Sequence, residues 1–142
     1  MTANAGDGEV RGLAAKFGLQ SGLSVQEIGY DDDCDEALRD AIAVASGAEL
    51  QSDDFDDVVD VVLLWWREDD GDLVDALVDA IGPLTDNGVV WLLTPKPGRD
   101  GHVEPSDIAD GARTAGLAAT STINAAPEWQ GARLVAPRSA RR

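Results

Sequence analysis

Between Tyr30 and Glu36 the chain carries four aspartates in five residues, Asp31, Asp32, Asp33 and Asp35, interrupted by its single cysteine, Cys34. Asp31, Asp33 and Asp35 form the D-x-D-x-D opening of a calcium loop, in which alternating carboxylates surround a hard cation. Such a loop needs glycine at its sixth position and glutamate at its twelfth; here these are Glu36 and Ile42, which excludes an EF-hand. Loose magnesium or calcium binding at Asp31 and Asp33 is the weak metal reading, set against acids that simply start a helix. His102-Val103-Glu104 contains the His-x-Glu of zinc deaminases without the downstream Pro-Cys-x-x-Cys. One histidine and one cysteine cannot build the common zinc centres. His102 therefore reads as a residue that holds its own loop. No nucleophile elbow accompanies a serine–histidine–acid pattern, so no catalytic residue is assigned.

Trp65-Trp66-Arg67 closes an apolar run. Adjacent strand residues point to opposite faces, so one tryptophan can pack beneath each helical layer. The same residues stand at the carboxyl end of a central strand, where open α/β sheets bind ligands. The neighbouring strand ends should bring Tyr30 and Asp31 from one side and Thr94 and Lys96 from the other. Tyr30, Asp31, Trp66, Arg67, Thr94 and Lys96 thus form a candidate pocket for a small polar or cationic ligand.

The elements that position these residues are legible from periodicity. Leu23–Tyr30 alternates like a strand, and Asp31–Cys34 is a turn. Asp35–Ala45 places Ala37, Leu38, Ala41, Ile42 and Ala45 at helical spacing, with Gly47 as its stop. A short extended piece at Ala48–Gln51 precedes Val58–Trp66, a β-branched and aromatic run suited to a buried strand. Asp72 starts a helix that Gly82-Pro83 ends; Asn87-Gly88 makes a tight turn, and Val89–Thr94 is a second buried strand. A helix from Pro105 to Thr114 leads to two strands, Leu117–Ile123 and Ala132–Ala136, joined through Trp129-Gln130-Gly131. A short helix is expected at Leu13–Phe17, a disordered tail over residues 1–12 and a basic tail over 138–142, around one domain spanning 13–137. The fold class is α/β and Rossmann-like: a mostly parallel sheet flanked by helices, with an antiparallel C-terminal strand pair.

Net charge is −16 over 142 residues, and residues 31–79 hold all of it: eighteen acids against Arg39 and Arg67 alone. A field of this sign repels nucleic-acid phosphates and anionic lipid, so neither nucleic acid nor membrane is an expected partner. The longest apolar run is far below the roughly 20 residues that span a bilayer, and the first residues lack a secretory pattern. A lone cysteine permits no intramolecular disulfide; a cytoplasmic location is the expectation. Asp53, Asp54, Asp56 and Asp57 form the densest acidic face, either a solvated solubilising surface or a docking face for another protein with a basic surface.

From Phe55 onward the pattern resembles the second half of a class I methyltransferase. An acid-led strand (Asp60-Val61-Val62-Leu63-Leu64), a helix, a Gly-led strand (Gly88 to Pro95), a helix ending in Ala115-Gly116-Leu117 and a closing strand pair carry the likeness. In that comparison Gln26-Glu27-Ile28-Gly29 begins the cofactor loop. The family's further glycines, which let backbone approach S-adenosylmethionine, are replaced by Tyr30 to Asp35. No cofactor is therefore expected. The Asp31-x-Asp33 strand end with Thr94 also resembles haloacid-dehalogenase phosphatases, where the first aspartate would be the nucleophile, the second the general acid, and the threonine the phosphoryl holder. The whole stretch from about Lys16 to Pro137 resembles an actinobacterial family, domain of unknown function 3052, through VQEIGYDDDCDEALRDAI, DDVVDVVLLWWREDDGDLVDALVDAI, WLLTPKPGRDGHVEPSDI and TAGLAATSTI.

Three functions follow. The first is a non-enzymatic, acidic interaction or regulatory domain on a methyltransferase-like core without its glycine-rich loop. The second is a small-ligand-binding protein or enzyme with a site near Trp66, Arg67 and Lys96. The third is a metal-dependent phosphoryl-transfer enzyme using Asp31 and Asp33.

Overall fold

The structure of the protein, a computed structural model, describes residues 17–19, 22–47, 49–52, 54–55 and 57–136, with all their side chains but those at 86 and 87. Both expected tails, and the helix expected at Leu13–Phe17 apart from Phe17 itself, lie outside these residues. In chain order the elements are β1 (Val25–Ile28), α1 (Glu36–Ser46), β2 (Val59–Trp65), a 3-10 turn (Glu68–Asp70), α2 (Leu73–Ile81), β3 (Leu84–Pro95), α3 (Pro105–Ala115), β4 (Ala118–Ala126) and β5 (Trp129–Val135).

The five strands form one sheet in the order β1-β2-β3-β5-β4. β1, β2 and β3 run parallel; β5 is antiparallel to both neighbours and lies between β3 and β4. Of the extended piece expected at Ala48–Gln51, Ala48 lies outside the described residues, and Gln51 makes an isolated parallel bridge to Gln26 on the outer edge of β1.

The helix ends follow local chemistry. Asp35 caps α1, its Oδ1 accepting from the Leu38 amide at 2.8 Å, and Asp72 caps α2 by accepting from the Val74 amide at 2.9 Å. Gly47 and Gly116 close α1 and α3 in the left-handed conformation. Pro105 opens α3, where its missing N–H costs nothing.

Each sheet face buries its own apolar cluster. On one, Leu38 and Ile42 of α1 cover Val25, Val61, Leu63, Trp65, Trp91 and Leu93, with Phe17 and Trp129. On the other, Leu77 and Ala80 of α2 and Ile108 and Ala112 of α3 cover Val62, Leu64, Trp66, Val90, Leu92 and Leu134. Burying one large aliphatic or aromatic side chain contributes roughly 1.5–3 kcal/mol, so these clusters dominate the stability. Trp65 and Trp66 do point to opposite layers.

Two boundaries differ from the periodicity. The ladder between β2 and β3 jumps from Val59–Leu84 to Val61–Val89, so residues 85–88 bulge from a longer strand. Asn87-Gly88, expected as a turn before the strand, is absorbed inside it. β5 likewise starts at Trp129, because Pro127 and Glu128 alone make the turn from β4.

Candidate functional site

The carboxyl ends of β1 and β2 meet where the first glycine of the chain's Tyr-Asp turn passes over β2. Gly29 sits at φ +84°, and a Cβ there would lie 2.4 Å from the Trp65 carbonyl oxygen. Only glycine fits this approach. Two residues beyond β2, Arg67 fills the space above it. Its Nε donates to Asp33 Oδ2 at 3.0 Å and its Nη2 to Asp33 Oδ1, a two-point ion pair. Nη1 donates to the Gly29 carbonyl at 2.8 Å and reaches Asp70 Oδ2 at 3.3 Å, while Nη2 lies 3.3 Å from Cys34 Sγ. The guanidinium carbon stands 5.3 Å from the centre of the Trp129 ring, and Trp129 Nε1 donates to the Asp33 carbonyl at 3.1 Å.

This arrangement orders the electrostatics. The bond to Arg67 holds the Asp33 carboxyl below the usual carboxylate range, and the same bond raises Arg67. Burial pushes the Cys34 thiol up to about 11, against the pull of the Asp31 amide and Arg67. The crevice therefore holds a fixed anion, a fixed cation and a protonated thiol at neutral pH.

A second pair lies beneath. Glu27, 8% exposed on β1, accepts from Arg39 Nη2 at 2.7 Å and from Arg39 Nε, and its Oε2 also accepts from Trp65 Nε1 at 2.9 Å. Arg39 in turn stacks 3.9 Å from the centre of the Tyr30 ring and bonds Glu36 at 2.9 Å. The Tyr30 hydroxyl donates to Glu36, which raises Tyr30 and lowers Glu36. A buried carboxylate with three donors is satisfied, and its role is to fasten α1 to the sheet.

Of the six residues expected to share a pocket, Tyr30, Asp31, Trp66 and Arg67 line one open cavity of about 400 Å³ beside α2. Thr94 and Lys96 do not join them. Antiparallel β5 pairs Thr94 with Gln130 and Pro95 with Trp129, covering the end of β3; Thr94 is 1% exposed, and the Lys96 amide donates to the Glu128 carbonyl at 3.1 Å. Asp31 is exposed beside Asp33, whose carboxylate is committed to Arg67. Among the described residues no group of three or more histidine, cysteine, aspartate or glutamate side chains could hold a metal ion. Of the acidic face, Asp54 and Asp57 are exposed; Asp53 and Asp56 lie outside the described residues. His102 Nδ1 donates to the Pro95 carbonyl at 2.8 Å and ties down its loop. No described helix is long and apolar enough to cross a membrane.

The ion pair itself is what residue types did not show. Asp33 and Arg67 are 34 positions apart, and Asp33 reads as one helix-starting acid among several. One signal was present: Arg39 and Arg67 are the only bases among eighteen acids, and both are bound by carboxylates.

A parallel sheet with β5 inserted antiparallel between β3 and β4, helices on both faces and a strand-end crevice define a Rossmann-like domain of the methyltransferase type. The fold matches the mitomycin 7-O-methyltransferase MmcR with a TM-score of 0.57 at 13% identity, covering 82% of this chain and 50% of that one. It also matches magnesium protoporphyrin IX methyltransferase of Synechocystis PCC 6803, solved with bound SAM, with a TM-score of 0.55 at 14% identity, covering 94% and 79%. The chain thus spans about half the length of MmcR. Residues 14–138 match the family described as "Protein of unknown function (DUF3052)", and the chain belongs to that family. Uncharacterised proteins of Mycobacterium bovis and Mycobacterium tuberculosis are each 54% identical to it over 126 residues, 89% of this chain and 79% of theirs.

Proposed function

We propose that the chain is a non-enzymatic interaction or regulatory domain, whose methyltransferase-like core has its strand-end crevice spanned by its own ion pair and which binds a protein with a basic surface. The observation that carries this reading is Arg67, which spans the crevice by pairing with Asp33 and bonding the Gly29 carbonyl. S-adenosylmethionine, the ligand of the Synechocystis relative in fold, does not suit these residues. Gly29 keeps a positive φ, but its backbone is pressed against Trp65 rather than opened by further glycines. Asp35 occupies the amino end of α1, where nucleotide folds offer backbone donors to an anion. Asp31, Asp32 and Asp33 add carboxylates beside it. The confinement of the −16 charge to residues 31–79 supports a basic partner rather than a phosphate-bearing one.

A second reading, a small-ligand site or enzyme, is supported by the 400 Å³ cavity lined by Tyr30, Asp31, Trp66 and Arg67. Titration calorimetry and thermal melts of the purified chain with S-adenosylmethionine test the first reading. No heat and no shift are expected; a saturable shift, which mass action would give a bound cofactor, defeats the first reading. Charge reversal at Asp53, Asp54, Asp56 and Asp57 should remove salt-sensitive partners captured in the native host, and retention of all of them would leave the acidic face a solubiliser.

A further inference from the structure

We propose that a groove along the uncovered side of β1 is the docking site for a partner-protein segment that carries a lysine or arginine among apolar residues. This rests on the interaction reading above and gives it a place. On the face covered by α2 and α3, a space remains open beside β1. The space left, about 600 Å³, is floored by Gln26 and Ile28 and walled by Phe55, Asp57 and Val58 on one side and Asp79 on the other. It continues along β1 into the cavity beside Tyr30, with which it shares Ile28 and Asp79.

Gln26 marks the floor chemically. The residue is 3% exposed, and its Nε2 donates to the Ser52 carbonyl at 3.1 Å and to the Phe55 carbonyl at 3.2 Å. Two carbonyl acceptors settle which end of the amide is nitrogen. Its Oε1 is left buried, with no donor among the described residues. An orphan acceptor of this kind calls for an N–H or O–H from outside the chain. The walls add the sign. Asp57 and Asp79 are exposed carboxylates without an ion-pair partner among the described residues, so the donor that suits this groove is cationic. Val58 is 63% exposed and Phe55 half-buried, an apolar surface for the stem and neighbours of such a side chain.

A photo-crosslinking residue placed at Val58 in the full chain, in its native host, tests this, with the same residue at Val44 on the opposite helical layer and at Asp32 in the aspartate turn for comparison. From Val58 the expected product is a segment bearing lysine or arginine beside apolar residues, identified by peptide sequencing. That segment, synthesised, should bind the purified chain and lose about tenfold in affinity with Gln26→Leu, the equivalent of one charged hydrogen bond. It should lose at least as much with Asp57→Lys plus Asp79→Lys, both surface changes checked by an unaltered melting temperature. Capture from Val44 or Asp32 but not from Val58 overturns the groove and leaves the interaction reading standing. A Val58 product without a basic residue, or one bound equally by both variants, also overturns the groove. Failure to capture any chain from all three positions removes both readings.

Discussion

Truncating Arg67 to alanine should destabilise the fold by about 2–3 kcal/mol. The guanidinium makes two bonds to Asp33 and one to the Gly29 carbonyl, none longer than 3.0 Å, and its side chain is 13% exposed. Hydrogen bonds to charged groups contribute roughly 1.5–3 kcal/mol each, so a simple sum of three exceeds 4 kcal/mol. The Asp33 side chain is 45% exposed, however, and recovers water when its partner leaves, which lowers the cost as it does for surface pairs. For a domain of this size each kcal/mol moves the melting temperature by about 3–5 °C, so a fall of about 6–15 °C is expected. Circular dichroism melts and urea titrations of Arg67→Ala, Asp33→Ala and the double variant give the coupling directly. About 1–2 kcal/mol of coupling is expected, with an unchanged urea slope. A coupling indistinguishable from zero, or an Arg67→Ala melt within about 2 °C of the parent, would refute the pair as the brace across the crevice.

Three further outcomes follow from the same region. Asp33 titrates below its unfolded value, so its contribution is present above about pH 4 and lost as pH falls through the folded pKa; melts of the parent and of Arg67→Ala should keep their separation down to about pH 4 and converge only below it. Cys34, raised from 9.0 to about 11, should react with iodoacetamide at pH 7.5 about tenfold more slowly than a free thiol, since roughly 100-fold fewer thiolates are only partly offset by greater nucleophilicity; a free-thiol rate in the folded chain would contradict its burial. Gly29→Ala should lower stability by about 2 kcal/mol or more in urea titrations, since it combines a positive φ with a 2.4 Å approach to the Trp65 carbonyl oxygen, and a neutral effect would contradict the backbone path.

The parallel half of the sheet and its helices were legible because their apolar positions recur at fixed periods and their ends carry caps: Asp35, Gly47, Asp72, Pro105 and Gly116 all sit where helix chemistry puts them. Strand limits were less so. Asn-Gly is a turn signal only when the chain reverses, and here β3 keeps its direction through a bulge at 85–88 that no local pattern distinguishes. The pocket reading placed Tyr30, Asp31, Trp66 and Arg67 together and failed at Thr94 and Lys96: β3 does lie beside β2, but β5 pairs along its other edge as far as Pro95 and covers its end. Nothing in the residues before Trp129 says that β5 will lie against β3 and cover its end. Gln26 went unnoticed for a different reason: a polar residue in a short edge strand is unremarkable until its amide is found buried and half paired.

Trp129 and Asp33 are separated by 96 positions, yet the indole N–H closes on the Asp33 carbonyl. On a ribosome, residues 33 and 67 emerge long before 129, so the aspartates and Arg67 can find one another while the hairpin that latches them has not been made. Synthesis at about 5–20 residues per second leaves the nascent chain without that latch for several seconds. During this interval the charged turn is exposed to whatever binds nascent chains, and tryptophan emission at 129 would time its closure.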